Sequence, residues 1–289
     1  MNATVIGMEG TETVFEDSEK TFIELSNSQR LQIINALINS KMNLTLIAKH
    51  LGITMQEAHR NFNRLMEAGI VSKDSNGAYS LTTFGNTIVT QIPSINFLSK
   101  NKAYFSDHYF ADLPMKFVQR IGSLDNSTFV QGLVAVIEEI KEMYRHSEEF
   151  IYGMIPQVPL DLMEVAAKVV KDRKISFNYI LPKNAVIPKK GKDFLNEINF
   201  HDLLKNGLVE RKMTEEVKVS VVLNEKKALV MFPSIKGETD MNGAFLGSIN
   251  RNDDNDDDNN MLFHEWCLDY FRYCWLRSKP FDNTKLREV

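Results

Sequence analysis

Between residues 43 and 81 the apolar positions fall into two 3.6-residue stripes followed by two short strand-like runs. Asn43 is a good N-cap, and Leu44, Ile47, Ala48 and Leu51 behind it share one helical face at i, i+3, i+4, i+7. Gly52 suits a left-handed exit from that helix, and Thr54 can cap the next one. There Ala58, Phe62 and Leu65 repeat at i, i+4, i+7 before Ala68-Gly69 closes the helix. Residues 70–73 and 78–81 read as strands joined around Asp74-Ser75-Asn76-Gly77, an Asn-Gly hairpin signal. Helix, glycine-containing turn, helix and hairpin in this order are the pattern of a winged helix-turn-helix. Upstream, Ser28 is expected to cap a helix with Leu31, Ile34, Leu37 and Ile38 inward, completing a three-helix core.

After the hairpin, Thr82 and Thr83 offer caps for a helix with Phe84, Ile88, Ile92, Ile95 and Leu98 along one stripe, which Pro93 should kink or restart. Such a stripe needs a partner: its copy in a second chain, or the chain's own C-terminal domain. The period then alternates. A helix over 133–147 would bury Leu133, Ile137, Ile140 and Tyr144, and 150–155 is an almost continuous apolar run suited to a buried strand. A helix over 160–171 would bury Leu162, Val165, Ala166 and Val169, and 175–181 is a strand that stops at Pro182. Helix and strand alternating in this way imply parallel crossovers. Past a helix near 193–205, residues 208–213, 217–223, 228–232 and 244–249 read as strands that extend the sheet antiparallel, with a hairpin turn at Asn224-Glu225-Lys226. The expected fold is a winged helix-turn-helix followed by a mixed-sheet α/β domain. Residues 261–277 form a last helix dense in aromatics: Phe263, Trp266, Tyr270, Phe271, Tyr273 and Trp275. So much aromatic surface belongs on the sheet, at a dimer contact or around a ligand.

The net charge of −4 gains meaning when divided along the chain. Residues 1–19 carry five acids and no base, residues 20–102 carry nine Lys/Arg against four Asp/Glu, and the rest carries 25 against 29. The positive excess sits on the helix-turn-helix region, the electrostatic footprint of a nucleic-acid binder. Opposite Ala58, Phe62 and Leu65, the second helix presents Gln56, Arg60, Asn63 and Arg64, with His59 at the edge. Arg pairs with guanine and Gln or Asn with adenine, so these side chains, with Thr54 at the helix start and Lys73 and Asn76 on the hairpin, are the candidate contacts to double-stranded DNA. The competing reading is a solvated face, or a winged helix that binds protein.

No apolar run approaches a membrane span, and the start lacks a basic region followed by an apolar one. A cytoplasmic protein is therefore expected. Cys267 and Cys274 would lie about 10.5 Å apart on one helix, beyond disulfide reach. The acidic segment 250–260 imitates a calcium loop, with Asp254, Asp256 and Asp258 at positions 1, 3 and 5 and Glu265 at 12, but position 6 is Asn259 rather than Gly. The expectation is a self-repelling loop, with no metal and no cofactor.

Three stretches carry a family resemblance: Tyr104-Phe105-Ser106-Asp107-His108 with Leu113-Pro114 and Arg120-Ile121-Gly122; Met231-Phe232-Pro233 with Gly243-Ala244-Phe245; and Phe263-His264-Glu265-Trp266-Cys267-Leu268-Asp269 with Phe271, Tyr273 and Trp275. On these the chain resembles archaeal winged-helix transcriptional regulators with a methanogenesis-regulatory-protein type C-terminal domain. The Asn/Asp segment before the last helix departs from that pattern. The resemblance implies a homodimeric regulator, with a C-terminal domain similar to the phospholipase-D fold. Phosphodiesterases of that fold depend on His-x-Lys-x4-Asp, and none of the six histidines has a lysine two residues on. A sensor of an unknown small-molecule effector is thus expected rather than an enzyme, its ligand near the carboxyl ends of the parallel strands, where Tyr152, Met154, Tyr179, Trp266 and Tyr270 are the candidate lining. The expected organisation is an acidic segment (1–21), the winged helix-turn-helix (22–82), a linking or dimerising helix (83–103), the effector-sensing domain (104–280) and a tail (281–289).

Overall fold

In the computed structural model, which describes residues 16–157, 159–187, 189–237, 239–249, 258–285 and 287–288, the chain divides into two compact units, 1–92 and 93–289. The first 15 residues and residues 250–257, including Asp254 and Asp256 of the calcium-like spacing, lie outside that description.

Unit 1 begins with helix α1 (Glu16–Leu25), followed by α2 (Ser28–Ala36), a two-residue strand β1 (Met42–Asn43), α3 (Leu44–Leu51) and α4 (Met55–Glu67). Strands β2 (Val71–Lys73) and β3 (Ala78–Leu81) and helix α5 (Thr83–Val89) complete it. The core is built from Ile33, Ile34 and Leu37 of the α2 region, Ile47 and Ala48 of α3, and Ala58, Phe62 and Leu65 of α4. Tyr79 of β3 stacks on Phe62 with ring centroids 3.8 Å apart. Several expectations need correction. Asn27 rather than Ser28 caps α2, its side chain accepting from the Arg30 amide. Ile33 takes the inward position expected of Ile38, which is 42% exposed, and Leu31 is only half-buried. The helix is too short to carry the 3.6-residue stripe as far as 38. The hairpin is joined by β1 into a three-stranded sheet of order β1-β3-β2. In the hairpin turn Gly77 has φ +82° and Asn76 does not take positive φ, so the loop is not the mirror-image two-residue turn that Asn-Gly favours.

Helix α6 (Ile92–Lys100) follows a break at Thr90-Gln91, so the expected single stripe is split between two helices. Pro93 stands in the first turn of α6, where its missing N–H costs nothing. Phe97 packs against Phe105 and Phe245 of unit 2, whereas Ile95 and Leu98 on α6 and Phe84 on α5 stay exposed.

Unit 2 continues with α7 (Met115–Val118), β4 (Thr128–Gln131), α8 (Leu133–Arg145), β5 (Phe150–Met154), α9 (Leu160–Arg173), β6 (Ser176–Pro182), β7 (Val186–Ile187), α10 (Lys189–Glu197) and α11 (Phe200–Lys205). The remaining elements are β8 (Val209–Thr214), β9 (Ser220–Asn224), β10 (Lys227–Met231), β11 (Gly243–Ser248), α12 (Asp258–Arg277), β12 (Lys279–Pro280) and β13 (Arg287–Glu288). Eight strands form one mixed sheet of order β12-β8-β6-β5-β9-β10-β11-β4. Strands β5, β6 and β8 are mutually parallel, and β9, β10, β11 and β4 pair antiparallel beyond β5. The expectation that 208–213 runs antiparallel is thus wrong: β8 returns beside β6 through helices α10 and α11, and a helical crossover makes a parallel neighbour. Those two helices replace the single one expected over 193–205, and β4 was not foreseen.

The central strands bury both faces, and their residues alternate between two cores. Val221, Leu223, Ala228 and Val230 belong to a core roofed by α12, while Val222, Leu229 and Met231 belong to one roofed by α8, α9 and α11. On α8 the inward residues are Val136, Ile140, Met143 and Tyr144, with Leu133 exposed at 45%; on α9 they are Leu162, Ala166, Ala167 and Val170. Val165 and Val169 are half-buried, one helical step off the inward line.

The three stretches that carry the resemblance meet in the first core. Trp266 of α12 is fully buried and its indole donates to the Phe117 carbonyl at 3.0 Å. The Phe232 amide donates to the Tyr104 hydroxyl at 3.3 Å, and Arg120 pairs with Asp269 at 2.8 Å. Gly247 is required by packing: a Cβ there would lie 2.4 Å from the Phe263 ring.

Candidate functional site

The surface of unit 1 that concentrates polar side chains is assembled by local capping chemistry. Asn43 accepts from the Leu46 amide at 2.9 Å and starts α3. Gly52 ends it at φ 64°, ψ 30°, a left-handed conformation that glycine adopts without a side-chain clash. Thr54 opens α4 with a reciprocal pair: its hydroxyl accepts from the Glu57 amide at 3.2 Å, and the Glu57 carboxylate accepts from the Thr54 amide at 2.9 Å. The carboxylate also accepts from the Thr54 hydroxyl at 2.8 Å, and the Thr54 amide and hydroxyl together hold the Glu57 carboxyl below the usual carboxylate range, with Arg60 adding to the effect. A three-residue turn capped at both ends fixes the direction in which α4 leaves α3.

On α4, Ala58, Phe62 and Leu65 are at 0% exposure, so the helix cannot rotate without exposing them. The opposite face therefore points outward: Gln56, His59 and Arg60 are exposed and Asn63 half-exposed, its amide 3.4 Å from the His59 ring. Thr54, Lys73 and Asn76 are exposed as well. Thr54 spends its hydroxyl and its backbone amide on the cap and its carbonyl on the Ala58 amide, leaving its methyl group for any partner. Asn76 sits in the hairpin loop, where its amide donates to Asp74 Oδ1 at 3.0 Å. The Lys73 ammonium lies 5.3 Å from the centroid of the Tyr79 ring, and Tyr79 in turn stacks on Phe62, tying the hairpin to α4.

Arg64 is different. Its guanidinium reaches back to Glu24 of α1, a carboxylate that is 4% exposed and is also paired with Arg30 at 2.8 Å. Helical spacing placed Arg64 on the polar face; the fold uses it to hold α1 against α2 and α4. That role was illegible because α1 lies in a stretch without a clear apolar period. Asn61 was missed for a related reason: it is buried and donates to Gln29 at 3.0 Å, a polar link across the core. Lys41 and Lys49, which no spacing singles out, are exposed on the same unit.

In unit 2 the five residues expected around a ligand do not converge. Tyr179 lines a cavity on the α9 side of the sheet. Met154 and Tyr270 line a cleft of about 220 Å³ on the α12 side, at the carboxyl ends of β5 and β8, together with Asp112, Lys218, Cys274 and Arg277. Trp266 is consumed by the core, and Tyr152 stacks on Phe271 with centroids 4.9 Å apart. The physical reason is the alternation of a strand: Tyr179 and Ile180 point to opposite faces, so strand ends alone do not say which side a residue serves. Burial raises the Tyr270 phenol far above its usual range and, against the Tyr270 hydrogen bond, pushes the Cys274 thiol up to about 11.

No protein-family model and no curated protein matches the chain. Among solved structures, TrmBL2, an archaeal chromatin protein whose structure shows a mode of DNA binding, aligns over 92% of this chain and 100% of its own at 12% identity and a TM-score of 0.38. The homodimeric winged helix-turn-helix domain of Mb0332 from Mycobacterium bovis, a possible ArsR-family regulator, aligns over 35% of this chain and 92% of its own at 17% identity and a TM-score of 0.28. A phospholipase D family member, Nuc from Salmonella typhimurium, aligns over 55% of this chain and 100% of its own at 10% identity and a TM-score of 0.37. These are partial likenesses.

Proposed function

We propose that the chain is a DNA-binding transcriptional regulator of the winged helix-turn-helix type, acting in the cytoplasm as a homodimer on a pseudo-palindromic operator and responding to a small molecule held by unit 2. The observation that carries this reading is the outward face of α4: Gln56, His59, Arg60 and Asn63 stand opposite Ala58, Phe62 and Leu65, a polar row on a helix whose rotation the core has locked. Gln and Asn offer paired donors and acceptors to adenine, and Arg60 offers a fork to guanine or phosphate. Lys49, Lys73 and Asn76 supply cationic and polar groups for the backbone, which sets affinity and position more than sequence.

Homodimerisation is supported by the exposure of Phe84 on α5 and of Ile95 and Leu98 on α6, apolar side chains that a second copy would cover. Unit 2 is read as a sensor with a methanogenesis-regulatory type domain, not as a phosphodiesterase, because none of its histidines stands in His-x-Lys-x4-Asp. No helix among the described residues is long and apolar enough to cross a membrane.

A gel shift against the promoter of the protein's own gene, run at two salt concentrations, tests the reading. Sequence-selective retention that weakens steeply with salt is expected. Retention of no DNA by the folded protein would leave the winged helix as a protein-binding module.

A further inference from the structure

Unit 2 encloses a second cavity, of about 60 Å³, between the α9 face of the sheet and helices α9, α10 and α11. Its walls are apolar and made small on one side by Ala166, Ala167 and Ala185, with Leu162, Leu195 and Phe200 closing the others. Three polar groups interrupt this lining. The first is Tyr144, 3% exposed, whose hydroxyl has no hydrogen-bond partner among the described residues; burial alone pushes its phenol up. Buried tyrosine hydroxyls ordinarily find a partner, so this one marks a position that a guest atom would complete. The second and third are Tyr179 and Arg211, neighbours on β6 and β8, with the guanidinium lowering a phenol that burial otherwise raises. Arg211 lies 4.1 Å from the centroid of the Phe281 ring, and among the described residues it takes no carboxylate partner. No acidic side chain lines the cavity among the described residues.

We propose that this cavity binds a short apolar monocarboxylate, its hydrocarbon body against the α9 alanines and its carboxylate on Arg211 and the tyrosine hydroxyls. A planar guanidinium fork that has no acidic partner among the described residues selects a carboxylate over an amine. The apolar walls select a body without hydroxyls, since a buried hydroxyl left unpaired is costly. The volume admits roughly four to six water-sized groups, which sets the scale of that body. Nothing in this site draws on the cleft at the strand ends.

The test is calorimetric titration of the full-length chain, without DNA, with pentanoate, pentanol and pentylamine. Pentanoate should bind and raise the melting temperature, pentanol should bind about tenfold more weakly for want of the charge, and pentylamine should not bind. Arg211→Gln should erase the difference between pentanoate and pentanol, Tyr144→Phe should weaken pentanoate severalfold, and Ala166→Leu should fill the space and abolish both. The proposal is overturned if the wild-type chain binds no pentanoate, or if pentanoate binding survives Arg211→Gln and Ala166→Leu unchanged. Should Ala166→Leu fail to fold, the charge preference in Arg211→Gln decides by itself. Naming the guest an effector rests on the regulator reading, and the two fail separately: a chain that takes pentanoate but no DNA keeps the site and loses the regulator, and the reverse outcome does the opposite.

Discussion

Arg60 and Arg64 are one turn apart on α4, and the fold gives them different work. Arg60 is exposed and faces away from the core, so Arg60→Ala should weaken specific DNA binding by about 1–3 kcal/mol and leave the melting temperature where it was. Arg64 is half-exposed and anchors the buried Glu24. Removing it leaves that carboxylate to Arg30 alone, and Arg64→Ala should lower stability by about 1 kcal/mol, discounted for its exposed end. Thermal melts of both variants beside their gel shifts check the division; equal melting losses would contradict it. His108 makes a third residue-scale prediction. Burial opposes its charged form, but the Tyr104 carbonyl, Asp240 and Asp107 outweigh that, and its pKa is raised. A raised folded pKa contributes stability that is complete below the ordinary value of about 6.5 and is lost as pH rises through the raised one. As pH rises above the ordinary value of about 6.5, wild-type stability should therefore decline relative to His108→Gln. Parallel denaturant midpoints across that rise would refute the assignment.

At the scale of elements, α12 shows how an aromatic helix is seated. Phe263, Trp266, Tyr270 and Phe271 are buried on the sheet, and the helix approaches closely at Gly247. A methyl group there meets the Phe263 ring, so Gly247→Ala should cost about 1–3 kcal/mol by overpacking. Phe263→Leu in the same background should recover part of the loss, and urea unfolding of the single and double variants measures it. An undiminished midpoint for Gly247→Ala would mean that α12 sits less tightly than its contacts require. The aromatic density of residues 261–277 pointed to burial or binding alike; the fold assigns most of it to burial.

For the whole molecule, the two units are each closed by a core of their own, and the exposed apolar residues of α5 and α6 fall where those units adjoin in sequence. A homodimer should give a light-scattering mass of two chains at micromolar concentration, and its operator should carry half-sites about 34–36 Å, or a multiple, apart. A mass of one chain together with a one-to-one DNA complex would contradict it.

What the residues by themselves determined is the part of this protein that local chemistry governs. Caps at Asn43 and Thr54, the left-handed exit at Gly52, and the 3.6-residue spacing of Ala58, Phe62 and Leu65 act over a few residues, and so the helix-turn-helix and its outward face are legible in the amino-acid sequence. The run 150–155 and the alternation around it marked parallel crossovers for the same reason. Tertiary structure alone decided what depends on distant partners. The buried Glu24 that claims Arg64 lies 40 residues away from it. The side of the sheet on which Tyr179 and Met154 stand follows from strand register, and the placement of β8 beside β6 depends on where α10 and α11 return the chain. The Tyr144, Gly153 and Arg211 that line one cavity come from three elements that meet only after folding, because a cavity is a property of packing and has no period along the chain.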